Sequence, residues 1–217
     1  MNEDLQNYLN EIRRDFSGKP LQEDTVQQDP FRQFEIWFEE AVNAQILDPQ
    51  AMTLATVNEA GQPSARVVYL RGTQDGAFIF YTNYRSNKAR DLEQHPKAAL
   101  NFLWRGLDRQ IRIEGVVHQV DPQVSDNYFA GRPRESQIGA WASQQSHQLK
   151  NREELEEQVK VYTNKFEGQE VPRPDFWGGY MLIPHQVEFW QGRPNRLHDR
   201  ILYALEGKGW TISRLSP

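Results

Sequence analysis

Residues 189–200 read Phe-Trp-Gln-Gly-Arg-Pro-Asn-Arg-Leu-His-Asp-Arg, which places three arginines, one histidine and one indole in twelve residues of a chain whose formal charge is −5. Arginine offers a rigid fork of donors matched to phosphate or carboxylate, imidazole titrates near neutrality, and the Trp190 ring is a flat apolar surface. Such a set suits a planar anionic ligand; the competing reading fills a core with Trp190 and pairs the arginines with surface acids. Ser86-Asn-Lys-Ala-Arg90 opens a helix with Ser86 as N-cap and Lys88 in the first turn. The macrodipole disfavours a cation there unless an anion compensates it, so this too is either a phosphate cradle or a solvated lysine. Arg66-Val-Val-Tyr-Leu-Arg71 alternates with period two, so Arg66, Val68 and Leu70 share one strand face and Val67, Tyr69 and Arg71 the other. An inward arginine needs an anion or an acid to offset its desolvation, whereas one at a strand end reaches solvent. Tyr128, Arg132, Arg134 and Ser136 surround Gly131 and Pro133, where a helix ends. Phenol, guanidinium and hydroxyl suit one phosphate, and Arg132 alone suits ordinary C-terminal capping.

Other chemistries are set aside by what is missing. Without cysteine there is no thiolate nucleophile, disulfide, zinc–cysteine site or iron–sulfur cluster. The five histidines, at 95, 118, 147, 185 and 198, have no metal-ligand spacing, so no metal is expected. Neither a Walker A loop nor Gly-x-Gly-x-x-Gly occurs, Gly207-Lys-Gly209 reads as a hairpin turn, and there is no Gly-x-Ser-x-Gly elbow. The acidic balance argues against a general nucleic-acid binder. A polar N-terminus and the lack of a membrane-length apolar run lead us to expect a soluble, cytoplasmic protein. Several anion-binding segments without metal, thiol or nucleotide loop point to an organic phosphorylated cofactor.

The elements that must position these groups are mostly strands. Residues 51–57, 66–70, 77–82, 98–104 and 110–120 are rich in Val, Ile, Thr, Phe and Tyr and are separated by turns such as Asn58-Glu-Ala-Gly61 and Gln74-Asp-Gly76. Two more runs follow, 179–190 and 201–215, the latter folded at Glu206-Gly-Lys-Gly209. Helices are expected over 4–16, with Leu5, Tyr8, Leu9, Ile12 and Phe16 on one stripe, and from Pro30, with Asp29 as N-cap and Phe34, Trp37, Phe38 and Ala41 inward. Others open at Ser86 and at Asp121-Pro122, and a last one spans 151–166 with Leu155, Val159, Tyr162 and Phe166 on one face. Strands dominate without alternating regularly with helices, so the fold class is mainly β: an antiparallel barrel with peripheral helices. Residues 1–28 read as a flexible N-terminal flap and 29–217 as a single domain.

Taken in order, Arg66 to Arg71, Phe80-Tyr-Thr-Asn83, Arg109-Gln110, Arg132-Pro-Arg-Glu-Ser-Gln-Ile-Gly-Ala-Trp141, Gln145-Ser146, Phe176-Trp-Gly-Gly179 and Glu188 to Arg200 closely resemble the pyridoxine/pyridoxamine 5′-phosphate oxidase family. The resemblance implies an FMN-binding split β-barrel, a homodimer with flavin sites at the interface. It assigns Arg66 and Lys88 to the FMN phosphate, with Asn87 beside them, and lines the flavin with Val67, Val68, Tyr69, Leu70, Arg71, Tyr81 and Thr82. Gln110, Trp190 and Arg200 would flank the isoalloxazine, and Gln145 and Ser146 would reach across from the partner subunit. The substrate phosphate would lie on Arg71, Tyr128, Arg132 and Ser136, with Arg196, Leu197 and His198 over the pyridine ring and Asp48 near the substrate.

Arg71 stands where the family usually has lysine, Asn87 where it has arginine, and Phe16, in Arg13-Arg-Asp-Phe16, where a covering flap has tyrosine. The implied reaction is oxidation of pyridoxine or pyridoxamine 5′-phosphate at C4′ to pyridoxal 5′-phosphate. Hydride passes to flavin N5 and dioxygen leaves as hydrogen peroxide, with Arg196 and His198 orienting the substrate. The alternatives are another split-barrel flavin oxidoreductase, which has no use for Tyr128, Arg132 and Ser136 together with Arg196 and His198, and a non-catalytic pyridoxal-phosphate carrier.

Overall fold

The computed structural model describes residues 1–12 and 14–217. Among them are six α-helices, α1 (Glu3–Glu11), α2 (Pro30–Asn43), α3 (Asn87–Gln94), α4 (Pro122–Ala130), α5 (Arg134–Ala142) and α6 (Arg152–Lys165). Nine strands accompany them: β1 (Ala51–Val57), β2 (Pro63–Tyr69), β3 (Gly72–Gln74), β4 (Ala77–Asn83), β5 (Lys97–Trp104), β6 (Arg109–Gln119), β7 (Trp177–Gln191), β8 (Asp199–Glu206) and β9 (Gly209–Arg214). They hydrogen-bond in the order β2-β1-β5-β6-β7-β4-β3, with β8 against β7 and β9 against β8. The chain forms two compact units, a larger one of residues 50–102 and 112–186 and a smaller one of 1–49, 103–111 and 187–217. Three of the four chain boundaries between them fall inside β5, β6 and β7, and the fourth falls between residues 49 and 50, just before β1.

In the larger unit β1 pairs antiparallel with β2 from Ala51↔Tyr69 to Val57↔Pro63, and with β5 at Thr53↔Asn101. The turn between β1 and β2 closes because the Asn58 side chain accepts from the backbone N–H groups of Ala60 and Gln62 while Gly61 takes φ +77. Period-two geometry turns Met52, Leu54 and Thr56 inward, and β4 is buried almost throughout, as a strand covered on both faces must be. Met52, Leu54, Phe78, Phe80, Leu100, Phe102, Ile113 and Leu182 form the core. Phe129, Ile138, Phe166, Val171 and Trp177 form a second cluster, which seats α4 and α5. Removing such side chains from water is the main stabilising term, roughly 1.5–3 kcal/mol each.

In the smaller unit Asp29 caps α2 by accepting from Phe31 N at 3.1 Å, with Pro30 at the first helical position. The i, i+3, i+7 stripe buries Phe34, Trp37 and Ala41, and Trp37 meets Phe189 edge-on at 5.1 Å. β8 and β9 form a hairpin from Ile201↔Arg214 to Glu206↔Gly209, its two-residue turn placing Gly207 at φ +61.

Four local expectations change. The first helix ends at Glu11 rather than Phe16, residue 13 lies outside the described residues, and the Leu5, Tyr8, Leu9 and Ile12 stripe is exposed. Phe16 leaves the helical register because it packs elsewhere, as described below. α5 is an addition to the expected elements, because Gly131 and Pro133 read as the end of a helix although Pro133 stands at the N-cap of the next one. β3 is only three residues long, too short for a periodic signal. In α6, Phe166 beyond the C-terminus is buried and Leu155 and Tyr162 are half-buried, but Val159 is exposed, so the stripe docks incompletely. Among the described residues no helix is long and apolar enough to cross a membrane.

Candidate active site

An open cavity of about 1370 Å³ lies in the larger unit, walled by β2, β4, the first turn of α3, the α4–α5 junction and residues 143–146. Arg66, Val67, Val68, Tyr69, Arg71, Tyr81, Thr82, Asn87, Lys88, Tyr128, Arg132, Ser136, Gln145 and Ser146 all line it. Leu70, on the same strand face as Arg66 and Val68, is buried and is not part of the lining.

Two cation groups define its electrostatics. In the first, the inward alternation of β2 carries the Arg66 guanidinium to the Leu54 carbonyl (3.2 Å), Thr56 Oγ1 (2.7 Å) and Ser64 Oγ (2.6 Å). Thr56 Oγ1 in turn donates to the buried Asp91 carboxylate at 2.6 Å. Helical spacing places Lys88, Asp91 and Leu92 on the buried face of α3, so one acid sits behind two cations. Lys88 Nζ donates to three neutral oxygens, Gln145 Oε1 at 3.0 Å, Thr82 Oγ1 at 3.2 Å and Ser86 Oγ at 3.3 Å. Burial, then the Arg66 charge, pulls the Lys88 ammonium down to about 8, with Asp91 opposing; burial also lowers Arg66. Ser86 stands at the N-cap position but makes no side-chain cap; its hydroxyl serves Lys88 instead.

In the second group, Arg132 lies with its guanidinium carbon 4.5 Å above the Trp177 ring and 5.5 Å from Phe129. Its Nη1 is buried without a hydrogen-bond partner. It therefore does not serve as an ordinary cap of α4; burial lowers its pKa, Tyr128 opposes, and the Arg71 charge lowers it further. Tyr128 stacks on Tyr81 with ring centroids 3.8 Å apart and planes 6° from parallel, and Trp177 continues the stack 5.4 Å from Tyr81. A buried donor with nothing to bond is a costly arrangement that an incoming acceptor relieves. The lining thus suits two anionic groups and a flat aromatic body.

One expectation is corrected. Gln145 and Ser146 do not have to arrive from a partner: within the same chain Gln145 accepts from Lys88 and Thr82, and Asn87 N donates to Ser146 Oγ at 3.2 Å. The end of α5 and the turn that sets Ser146 at φ +73 bring them there, and α5 was invisible to the sequence reading.

Gln110, Trp190, Arg196, Leu197, His198 and Arg200 belong to the smaller unit. His198 lies 4.5 Å from Trp190 and 5.0 Å from Phe16, ring centroid to centroid, and its Nδ1 accepts from Arg193 N at 3.1 Å. Burial and the Arg196 charge hold the imidazole below the usual histidine range. Arg196 and Leu197 are exposed, and Gln110 is half-buried on β6. Arg200 is held by buried Glu188 through bonds of 2.7 and 3.1 Å, which raise its pKa. Asp48 is exposed, at φ 48 before β1, and does not line the cavity. The sequence reading gave no role to Thr56, Asp91 or Trp177. Only the helical offset of three between Lys88 and Asp91 pointed to the acid.

The chain is similar to several known proteins. A family model described as pyridoxamine 5′-phosphate oxidase matches residues 38–165, and one described as the pyridoxine 5′-phosphate oxidase C-terminal dimerisation region matches 177–217. The chain is 52% identical over 206 residues to the pyridoxine/pyridoxamine 5′-phosphate oxidase of Rubrobacter xylanophilus, covering 95% of each. It is 50% identical over 210 residues to that of Bordetella pertussis, covering 96% of this chain and 99% of the other. Among solved structures, PhzG from Burkholderia lata, in complex with tetrahydrophenazine-1-carboxylic acid, superimposes with TM-score 0.87 at 31% identity, covering 93% of this chain and all of the other. A pyridoxamine 5′-phosphate oxidase-related, FMN-binding protein from Nostoc punctiforme shares the fold at TM-score 0.69 and 19% identity. The antiparallel barrel expected from the strand pattern, which the family resemblance makes a split barrel, is the class of these structures.

Proposed function

The chain belongs to the pyridoxamine 5′-phosphate oxidase family, and from that premise we propose that it oxidises pyridoxine 5′-phosphate and pyridoxamine 5′-phosphate to pyridoxal 5′-phosphate as an FMN-dependent homodimer. The observation that carries this reading is the pairing of cations in one cavity: Arg66 with Lys88, and Arg71 with Arg132, whose Nη1 is buried and unpartnered. Two phosphorylated aromatic molecules need two such groups. Arg66 and Lys88 would hold the FMN phosphate, with Asn87, Gln145 and Ser146 around it and β2, Tyr81 and Thr82 along the ring. Arg71, Tyr128, Arg132 and Ser136 would hold the substrate phosphate. Gln110, Trp190 and Arg200 are assigned to the isoalloxazine and Arg196, Leu197 and His198 to the pyridine. The dimer is supported by the match to the dimerisation region.

When bound, FMN would supply the hydride acceptor for C4′ and dioxygen would take the two electrons as hydrogen peroxide; from pyridoxamine 5′-phosphate, water then hydrolyses the imine and ammonia leaves. The protein's share is placement. Phosphate anchors convert random encounter into a fixed approach, and the neutral His198, its Nδ1 engaged as an acceptor, presents Nε2–H as a donor to the pyridine side. Arg196 places a permanent positive charge beside it. The test is an aerobic assay of FMN-loaded protein with both vitamers and with unphosphorylated pyridoxamine. Pyridoxal 5′-phosphate and equimolar peroxide are expected from the phosphorylated compounds, with a much higher KM for the unphosphorylated one. Binding without aldehyde would leave a carrier, and equal use of the unphosphorylated compound would leave a different flavin oxidoreductase.

A further inference from the structure

We propose that Arg193 is a positioning residue for His198 and Arg196, fixing the tautomer of the first and the presentation of the second, and tying their loop to residues 14–21. The kinetic consequence rests on the oxidase reading above; the structural consequence does not. Asn195 and Arg196 take φ values of +56 and +61, two successive non-glycine residues in the left-handed region. Side chains persist there only where the surroundings over-determine the backbone. The loop is closed at its base by the Arg193 N–H to His198 Nδ1 at 3.1 Å and inside by Leu197 N to the Pro194 carbonyl at 3.2 Å. An accepting Nδ1 carries no proton, so the neutral ring must carry its proton on Nε2.

The Arg193 side chain anchors that base. Its Nε lies 3.3 Å from Asp199 Oδ2, and its Nη1 donates to the Gly18 carbonyl. Asp199 is held in turn by Leu21 N at 3.1 Å and Arg214 Nη1 at 2.7 Å. Residues 16–18 lie so close to the loop that a Cβ at Gly18 would fall 2.0 Å from Gln191 Nε2 and 2.6 Å from the Gly192 carbonyl oxygen. The Phe16 ring edge, in contact with Trp190 and His198, leaves no space for a Cβ at Gly192 either, which would lie 2.5 Å from Phe16 Cδ1. One guanidinium therefore links the segment that covers His198 with the loop that presents it. A residue of this kind acts through the geometry of the group it orients, where a misplacement of about 1 Å can cost up to roughly 100-fold.

The experiment uses FMN-loaded Arg193→Ala and Arg193→Lys proteins. Long-range nitrogen–proton NMR of His198 in the resting enzyme is expected to show a single Nε2–H tautomer in the parent and a tautomer-averaged signature in Arg193→Ala. Chymotryptic cleavage after Phe16 is expected to be about tenfold faster, and KM for pyridoxamine 5′-phosphate about tenfold higher with kcat changed less. Arg193→Lys keeps the charge opposite Asp199 but loses the fork to Gly18, so it should retain the tautomer and still cleave faster; it decides the matter if the alanine variant does not fold. An unchanged His198 signature together with unchanged cleavage in these variants overturns the proposal. If the parent oxidises neither vitamer, the oxidase reading fails, while the NMR and cleavage results still decide the role of Arg193.

Discussion

Arg66 and Lys88 in the larger unit, and Arg196 with His198 in the smaller one, are held in opposite ways. The first pair sits against a strand and a buried helix face, with the acid Asp91 reached from Arg66 through Thr56, and desolvation already depresses both cations. Arg196 stands exposed on a left-handed turn whose ties run through Arg193, Asp199 and Arg214, side chains that are themselves part-exposed. Burial makes charge expensive and an arriving anion correspondingly welcome, which suits lasting retention of a phosphate. Exposure makes charge cheap and conformation the quantity to be controlled, which suits a group that must meet substrate in one orientation.

The sharpest way to break that contrast is Asp91→Ala. Two buried cations lose their acid, and we expect a loss of about 3 kcal/mol in urea unfolding of the apo-protein, partly restored by high inorganic phosphate. Loss without any effect of phosphate would mean that Asp91 serves only packing. Next, Lys88→Met should raise the FMN dissociation constant by roughly tenfold to 150-fold, about 1.5–3 kcal/mol for a charge-assisted contact. The same residue gives the pH dependence. Its ammonium is held near 8 against 10.5, so between those values the unfolded chain carries a proton that the folded one has released, and apo-protein stability rises with pH across that window. Phosphate requires the charged form, so FMN affinity is full below about 8 and falls above it, towards one proton per flavin. A titration of Lys88→Met should lose this limb.

A smaller effect is expected from Arg132→Met, which removes an orphaned donor from the second cation group. KM for pyridoxamine 5′-phosphate should rise about tenfold while FMN affinity stays within about twofold, a split seen by measuring both on one preparation. Least of all should follow Leu197→Ala: the side chain is 67% exposed, and thermal unfolding should move by less than about 0.5 kcal/mol. A large destabilisation there would abolish the distinction between a buried anchor and a presented loop.

The residues themselves announced much of this. Alternation in Arg66–Arg71 put Arg66 on the inner face of β2, and Asp29-Pro30 with the stripe at Phe34, Trp37 and Ala41 located α2, because period and cap chemistry are local properties of the chain. Local chemistry also misled, for Gly131 and Pro133 concealed α5, and with it the route that returns Gln145 and Ser146 to Lys88 of their own chain. Thr56 and Asp91 carry no motif, and their importance follows only from meeting Arg66 across a strand pair and a helix.

The amino-acid order by itself therefore determined which side chains carry charge, which faces are apolar, where turns and caps fall, and that several anion-binding groups share a chain with no thiol and no metal spacing. Tertiary structure alone decided which cations are stripped of water, which acid stands behind them, and which donor is left unpaired. Those are properties of distance and dielectric between residues that the fold brings together from different elements, such as Thr56 and Asp91, 35 positions apart, and no local periodicity encodes them.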